Sequence, residues 1–183
     1  PPNAATTGVD AQDIGDLILG CAFPEAEQGF NMARLVVFLA GLPISVAGTT
    51  INRFCGSSMQ SIHNAAGAIQ MGAGDVYICA GVESMSRVPM TGFNPMPHPT
   101  LSETVPGAYM SMGETAENVG REYQIDRAEQ QDFAVASQQK AAQAQSEGRL
   151  AEEIVPITVN GKVVDADGCL RPDTTVDGLS GLK

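Results

Sequence analysis

The sequence predicts an α/β fold built on a parallel β-sheet. Short apolar runs typical of buried strands alternate with longer segments whose apolar residues recur at helical spacing. This alternation continues through residues 16–80, as it does in successive βαβ units, whose strands are parallel. The 20 glycines and the hydrophobic share of 43% fit closely packed elements in a globular protein of 183 residues.

The elements of the first half follow in order. Strands are expected at 16–21, 46–51 and 75–80, each of them a short run rich in apolar or β-branched residues. Apolar residues at helical spacing predict helices at 31–42 and 57–71 between these strands. Because sites in such sheets form beyond the carboxyl ends of the strands, the turn after the second strand is a candidate site.

The second half begins with a change in composition. Five prolines within 88–106 predict a long irregular loop, and long loops in compact domains are usually functional or disordered. Helical patterns resume at 113–123 and 126–147. The Asn-Gly pair at 160–161 then predicts a hairpin over 154–164 with a type I′ turn.

Composition excludes several classes of partner and site. A formal net charge of -11 argues against nucleic acid or an anionic membrane as a partner, since both require a concentrated positive field. No apolar run has the length of a membrane span. Neither a zinc site nor a disulfide framework is indicated, because the cysteines are widely separated. They are Cys21, Cys55, Cys79 and Cys169.

The expected location is the cytoplasm, with an organelle matrix left open. The chain shows no secretory segment, so its thiols are expected to stay reduced inside the cell. It begins with Pro1 and not with Met, which suggests a fragment, an internal numbering or a processed product.

Cys55 is the candidate nucleophile. It lies between the strand expected at 46–51 and the helix expected at 57–71, and a helix N-terminus favours an anion such as a thiolate. Gly56 is expected to let the backbone turn sharply and leave the sulfur uncovered. The alternative is that Cys55 is a small buried hydrophobic residue, which is the commoner role of an isolated cysteine.

The sequence around Cys55 resembles the nucleophile motif of thiolases. That motif is NRFCGSS at 52–58, and four further segments resemble thiolase segments in the same order. They are AGVESMS at 80–86, MGETAEN at 112–118, FAVASQ at 133–138 and RPDTT at 171–175. The CGSS and RPDTT segments are most similar to degradative 3-ketoacyl-CoA thiolases.

The resemblance implies a thiolase-fold N-terminal domain, a βαβ sheet with helices on both faces. It assigns 1–84 to an incomplete core and 85–183 to an inserted loop domain that contains the hairpin. It further implies that the first strand precedes residue 1 and that a C-terminal domain follows residue 183. In thiolases that second domain supplies a Gly-His-Pro histidine, a second catalytic cysteine and an Asn-Glu-Ala-Phe segment. His63 and His98 do not match the family's catalytic histidine and are not expected to be the general base.

The activity that the resemblance implies is thiolytic cleavage of 3-ketoacyl-CoA in fatty acid β-oxidation. Cys55 would attack the 3-keto carbon, release acetyl-CoA and carry the remaining acyl group as a thioester, which a second CoA would then accept. The backbone N–H of Cys55 would form half of an oxyanion hole. The chain by itself is not expected to be active, because the proton-transfer groups would lie in the second domain.

Four residues of the expected loop domain match CoA-binding or acyl-binding positions of thiolases. Arg171 would lie near the adenine and the 3′-phosphate, with Gln138 and Ser137 nearby, and Met112 would line the acyl pocket. The alternatives are that Arg171 is a surface residue before a turn and that Met112 packs against the core. Ser111 stands where some short-chain thiolases have histidine. CoA is expected as a substrate, with no resident cofactor and no metal.

The resemblance also implies a homodimer or a higher oligomer, in which the strand at 46–51 pairs with its mate across a two-fold axis. A multifunctional β-oxidation subunit is a further expected partner. Two alternative functions stay open: a biosynthetic acetoacetyl-CoA thiolase, and a thiolase-like subunit that binds acyl-CoA without catalysis. A simple α/β binding protein is hard to reconcile with five ordered segments.

Overall fold

The computed structural model describes residues 7–182 and forms two compact units. The first unit contains the residues up to 97 and the second those from 98 onward. The core and loop domain predicted at 1–84 and 85–183 stay a prediction.

The first unit is built on a three-stranded parallel sheet. Its strands are β1 (Ile14–Gly20), β2 (Ala47–Ile51) and β3 (Val76–Gly81), in the order β2-β1-β3. Helix α1 (Met32–Leu39) connects β1 to β2, and α2 (Ser57–Gln70) connects β2 to β3. The α/β class with a parallel sheet is therefore confirmed.

The two helices cover opposite faces of this sheet. Leu17 and Leu19 of β1 are buried in a cluster with Ala33 and Val37 of α1. On the other face, the thiol of Cys79 in β3 lies 3.5 Å from the carbonyl oxygen of Ser61 in α2. Since successive side chains of a strand point to opposite faces, one sheet accommodates both helices, as the resemblance implied.

Some element boundaries differ from the predicted ones. Strand β1 starts at Ile14 because this residue pairs with Val76, a partner 62 residues away. Helix α1 ends at Leu39 and does not reach residue 42. Gly41 has a φ of +66°, and the Leu42 N–H donates to the Val37 carbonyl, 3.1 Å away, which closes the helix in a Schellman motif.

The second unit consists of helices and one hairpin. Its helices are α3 (Pro99–Thr104), α4 (Met112–Glu122), α5 (Arg127–Ser146) and α6 (Val176–Ser180), and its strands are β4 (Ile157–Val159) and β5 (Lys162–Val164). The irregular loop predicted over 88–106 is wrong in part, because α3 forms within it with Pro99 in its first turn. Asn160 and Gly161 have φ values of +50° and +75°, which confirms the type I′ turn.

Candidate active site

Cys55 lies on a tight turn between β2 and α2. The turn is a single 3₁₀ segment, Phe54–Gly56, that runs directly into α2 at Ser57. The Cys55 side chain is exposed, so the alternative of a small buried residue does not describe it. The strand, turn and helix order predicted around this sulfur is confirmed.

The sharp bend of this turn is at Phe54 and not at Gly56. Phe54 has a φ of +45°, in the left-handed region that bulky residues rarely adopt, whereas Gly56 has an ordinary φ of -93°. The expectation that Gly56 makes the turn is therefore wrong. Neighbouring polar groups hold the strained residue, because its N–H donates to the Asn52 side chain at 2.8 Å and its carbonyl accepts from the Ser57 hydroxyl at 2.6 Å.

Two glycines let α2 begin directly against the carboxyl ends of two strands. A methyl group on Gly20, the last residue of β1, would overlap the backbone of Ser57 and Ser58 and lie 2.7 Å from the Ser57 Cβ. A methyl group on Gly81, the last residue of β3, would lie 3.0 Å from the Ser58 Cβ. This close approach fixes the start of α2, and with it Cys55, at the carboxyl edge of the sheet.

The backbone N–H of Cys55 is available to a ligand. Within residues 7–182 this N–H has no hydrogen-bond partner, whereas the N–H groups of Arg53, Phe54 and Gly56 all donate to groups of the turn. A free N–H beside an exposed sulfur can supply one donor of an oxyanion hole.

A polar cluster around Glu83 lies at the end of β1. The Glu83 carboxylate accepts hydrogen bonds from the Ala22 N–H at 2.8 Å and from the Gln28 amide at 2.9 Å. The thiol of buried Cys21 lies 3.9 Å from the same carboxylate. Burial raises the pKa of Cys21, and the Glu83 charge raises it further, so this thiol is held in its neutral form.

Sequence reasoning missed the Glu83 cluster because Glu83 is 55 to 62 residues away in the chain from Cys21, Ala22 and Gln28. The signal that could have found it is the position of Glu83 just past β3, a strand whose carboxyl end lies beside that of β1.

In the second unit, two of the predicted CoA-binding residues are in contact. The backbone N–H of Arg171 donates to the Gln138 side chain at 2.9 Å. The Arg171 carbonyl accepts from the Thr174 hydroxyl at 2.7 Å, which orders the turn that follows. The side chain of Arg171 is exposed, and the residue lines a cavity of about 440 Å³ together with residues 170 and 172–175 and two residues of α6.

The other two candidates of this unit lie on its helices. Ser137 precedes Gln138 on α5 and is exposed. Met112 is the first residue of α4 and is 67% exposed, so the alternative of a core-packing residue does not describe it. Ser111 caps α4 in a complete capping box with Glu114, which gives this serine a structural role.

The two histidines occupy surface positions. His63 is exposed on α2, and His98 is exposed at the N-cap of α3, where its N–H donates to the Tyr109 hydroxyl at 2.9 Å. Within residues 7–182, every helix is too short or too polar to span a bilayer.

Comparison with known proteins identifies a family model and several relatives. Residues 4–183 match the family model described as "Thiolase, N-terminal domain". A 3-ketoacyl-CoA thiolase of Bacillus subtilis (strain 168) is 48% identical over 184 residues, covering 93% of this chain and 47% of the relative. The 3-ketoacyl-CoA thiolases of Pseudoalteromonas translucida and Aliivibrio fischeri are each 46% identical over 180 residues, covering 96% of this chain and 46% of the relative. The chain thus spans about half the length of the curated relatives it matches.

Proposed function

Because this chain belongs to the thiolase family, we propose that the protein cleaves 3-ketoacyl-CoA with CoA and that Cys55 carries the acyl group between the two halves of the reaction. The observation that carries this proposal is the Cys55 turn, which holds an exposed thiol beside an unpartnered backbone N–H at the start of a helix. The proposal concerns the complete protein, since the relatives are about twice as long as this chain.

In the first half-reaction, the Cys55 thiolate attacks the 3-keto carbon of the substrate. The Cys55 N–H donates to the oxyanion that forms on the keto oxygen. The bond between C2 and C3 then breaks, C2 takes up a proton, and acetyl-CoA leaves. The rest of the substrate stays on sulfur as a thioester, which is reactive enough to be passed on.

In the second half-reaction, the thiolate of a second CoA attacks the acyl-cysteine. The shortened acyl-CoA leaves and the Cys55 thiolate is regenerated, so atoms and charges balance over the cycle. CoA is a substrate in this scheme, and no resident cofactor takes part.

We assign CoA recognition to the second unit. The Arg171 guanidinium is exposed and free to pair with a phosphate, while its backbone is fixed by Gln138 and Thr174. Ser137 lies beside Gln138 on α5, and the exposed Met112 offers a flexible apolar surface to the acyl chain.

Degradation of fatty acids by β-oxidation in the cytoplasm is the proposed setting, with a multifunctional β-oxidation subunit as a partner. A homodimer is also proposed, because β2 is at the edge of the sheet and its outer side is unpaired within residues 7–182. Light scattering on the purified protein tests this: a mass of one polypeptide would contradict the dimer.

The activity is tested by incubating the complete protein with CoA and 3-ketoacyl-CoA substrates of four carbons and longer, and by following acetyl-CoA. We expect turnover of the longer substrates, and a fall of at least about a thousandfold in kcat for Cys55→Ser. Cys169→Ser is the matched control, because Cys169 is also an exposed free cysteine, and it should change kcat by less than about twofold.

Other outcomes of this assay favour the alternatives. Turnover confined to the four-carbon substrate would favour a biosynthetic acetoacetyl-CoA thiolase. Binding of acyl-CoA without any turnover would favour a non-catalytic subunit and overturn the proposal.

The role of Arg171 is tested through the KM for CoA. Arg171→Ala should raise this KM by about tenfold or more, while the rate of acyl transfer to Cys55 changes less. Arg149→Ala is the matched control, since Arg149 is an exposed arginine of the same unit that pairs with Glu147. Equal KM values for CoA in the two variants would contradict the assignment.

A further inference from the structure

Both backbone polar groups of Ala22 are held by side chains from distant parts of the chain. Its N–H donates to Glu83 at 2.8 Å, and its carbonyl accepts from the Asn52 side-chain amide at 2.9 Å. Ala22 follows the end of β1 and is buried. A shift of Glu83 therefore moves Ala22, and a shift of Ala22 moves Asn52.

Asn52 links Ala22 to the Cys55 turn through two hydrogen bonds. While its amide nitrogen bonds Ala22, its amide oxygen accepts the N–H of Phe54 at 2.8 Å. With both ends of the amide in use, the orientation of this side chain is fixed. Phe54 is the left-handed residue of the turn and immediately precedes Cys55. A chain of hydrogen bonds thus runs from Glu83 through Ala22 and Asn52 to the residue beside the sulfur.

Glu83 is anchored at its other oxygen. Its Oε1 accepts from the Gln28 amide, and the Cys21 thiol approaches the same atom. Gln28 is 2% exposed and Cys21 is 1% exposed, so these partners have little freedom to rearrange. The Gln28 amide nitrogen also donates to the Phe23 carbonyl at 2.8 Å, which fixes its orientation.

We propose that Glu83 is a positioning residue for Cys55, which it acts on through Ala22 and Asn52. The inference rests on the proposed function only in taking Cys55 as the nucleophile. A carboxylate is required because Ala22 and Gln28 each present a donor to a different oxygen of Glu83. A glutamine at this position has one acceptor and one donor, so one of these two groups would face an N–H₂ group.

Glu27 provides a matched control for Glu83→Gln. Glu27 lies on the same loop as Gln28 and forms an exposed ion pair with Arg87, but it has no bond to Ala22 or Asn52 in the described residues. Glu27→Gln therefore removes a nearby carboxylate and leaves the bonded chain to Cys55 intact.

The test measures two quantities on the complete protein: the rate at which iodoacetamide alkylates Cys55, located by mass spectrometry, and kcat and KM for thiolysis. Glu83→Gln should lower the alkylation rate and kcat by about tenfold or more, because a small displacement of a nucleophile has a large effect on rate. The KM for CoA should change by less than about twofold, since the proposed CoA-binding residues lie in the second unit. Glu83→Asp, which keeps the charge, should recover part of the loss. Glu27→Gln should leave the Cys55 alkylation rate within about twofold of the wild type.

A double-mutant cycle tests the route. Asn52→Asp removes the donor to the Ala22 carbonyl but keeps an oxygen for the Phe54 N–H. If the effect passes through Ala22 and Asn52, the losses in alkylation rate from Glu83→Gln and Asn52→Asp will not multiply in the double variant. Multiplied losses, or equal alkylation rates in Glu83→Gln and Glu27→Gln, would overturn the proposal.

The outcomes separate this inference from the proposed function. A wild-type protein without thiolysis, but with Cys55 alkylation that depends on Glu83, would reject the function and keep the positioning role. If Glu83→Gln fails to fold, the inference is tested with Glu83→Asp and Asn52→Asp instead. Wild-type rates of Cys55 alkylation in both variants would overturn it.

Discussion

The two units of this chain are stabilised in different ways. In the first unit, strands and helices approach so closely that Gly20 and Gly48 have no room for a methyl group, and residues such as Val37 are completely buried. In the second, none of residues 98–182 is buried. Its elements are defined by local features, such as the capping box at Ser111 and the turn at Asn160. The proposed nucleophile thus lies on the unit that has a buried core, while the proposed CoA-binding residues lie on the unit that depends mainly on exposed hydrogen bonds, such as the one from the Arg171 N–H to Gln138.

The largest change in stability is expected from a glycine in the packed core of the first unit. Gly20→Ala places a methyl group against the backbone of Ser57 and Ser58 and should destabilise the first unit by about 3 kcal/mol or more, measured by thermal denaturation and by amide hydrogen exchange of β1. Gly67→Ala in α2 is the matched control. Apart from its chain neighbours and the backbone of its own helix, no atom of residues 7–182 lies within 4 Å of the added methyl group, so this change should stabilise α2 by up to about 1 kcal/mol. If the β1 amides of Gly20→Ala exchange at the wild-type rate, the close approach of β1 to the start of α2 is not required for stability.

The next largest difference in stability between the two units is expected from truncating a valine side chain in each. Val37→Ala removes two methyl groups from a fully buried site and should reduce the free energy of opening of α1 by about 2 kcal/mol. Val155→Ala makes the same change in the second unit, where the side chain is 55% exposed, and should cost less than about 0.5 kcal/mol. Amide hydrogen exchange measures both losses of stability. Similar losses in the two variants would contradict the difference in packing between the two units.

A cap should matter more in the second unit than any single apolar contact. Ser111→Ala removes the hydroxyl that accepts the Glu114 N–H and should destabilise α4 by about 1 kcal/mol, seen as faster exchange of its amides. Thr115→Ala is the control, since the Thr115 hydroxyl donates to the Ser111 carbonyl and does not accept a hydrogen bond from the free N–H groups of the first turn. If the amides of α4 exchange faster in both variants, the loss of stability is not specific to the cap.

The smallest effect is a pH dependence of the same cap. Hydrogen bonds from the Ser111 hydroxyl and N–H lower the pKa of Glu114 below its ordinary value of 4.5. Because the folded pKa is the lower one, this contribution to stability is present above about pH 4.5 and is lost as the pH falls through the folded pKa. NMR titration should place the Glu114 midpoint at a lower pH in the wild type than in Ser111→Ala. Equal midpoints would contradict the capping box as the cause.

Local signals predicted much of the fold. The Asn-Gly pair predicted the type I′ hairpin, and helical spacing predicted α2, α4 and α5 to within one residue at each end. The short helices α3 and α6 were missed, since six and five residues are too few to show a period. The early start of β1 was missed because it depends on pairing with Val76.

The strand, turn and helix around Cys55 were predicted, but the contacts that hold the turn were not. Cys55 was chosen as the candidate nucleophile because a lone thiol stands between a strand and a helix, and its chemical role stays a prediction. The strain at Phe54 was missed, although Asn52 two residues earlier is the signal of an Asx turn. The Glu83 cluster requires two distant segments, residues 21–28 and Glu83, to meet, which no local pattern specifies.

Trapping of the acyl group shows directly whether Cys55 is the nucleophile. The complete protein is mixed with a 3-ketoacyl-CoA in the absence of free CoA, quenched in acid and mapped by fragment-ion mass spectrometry. We expect the shortened acyl group on Cys55, none on the exposed Cys79 and Cys169, and none in Cys55→Ala. An acyl group on another cysteine, or full turnover in Cys55→Ala, would contradict this role of Cys55.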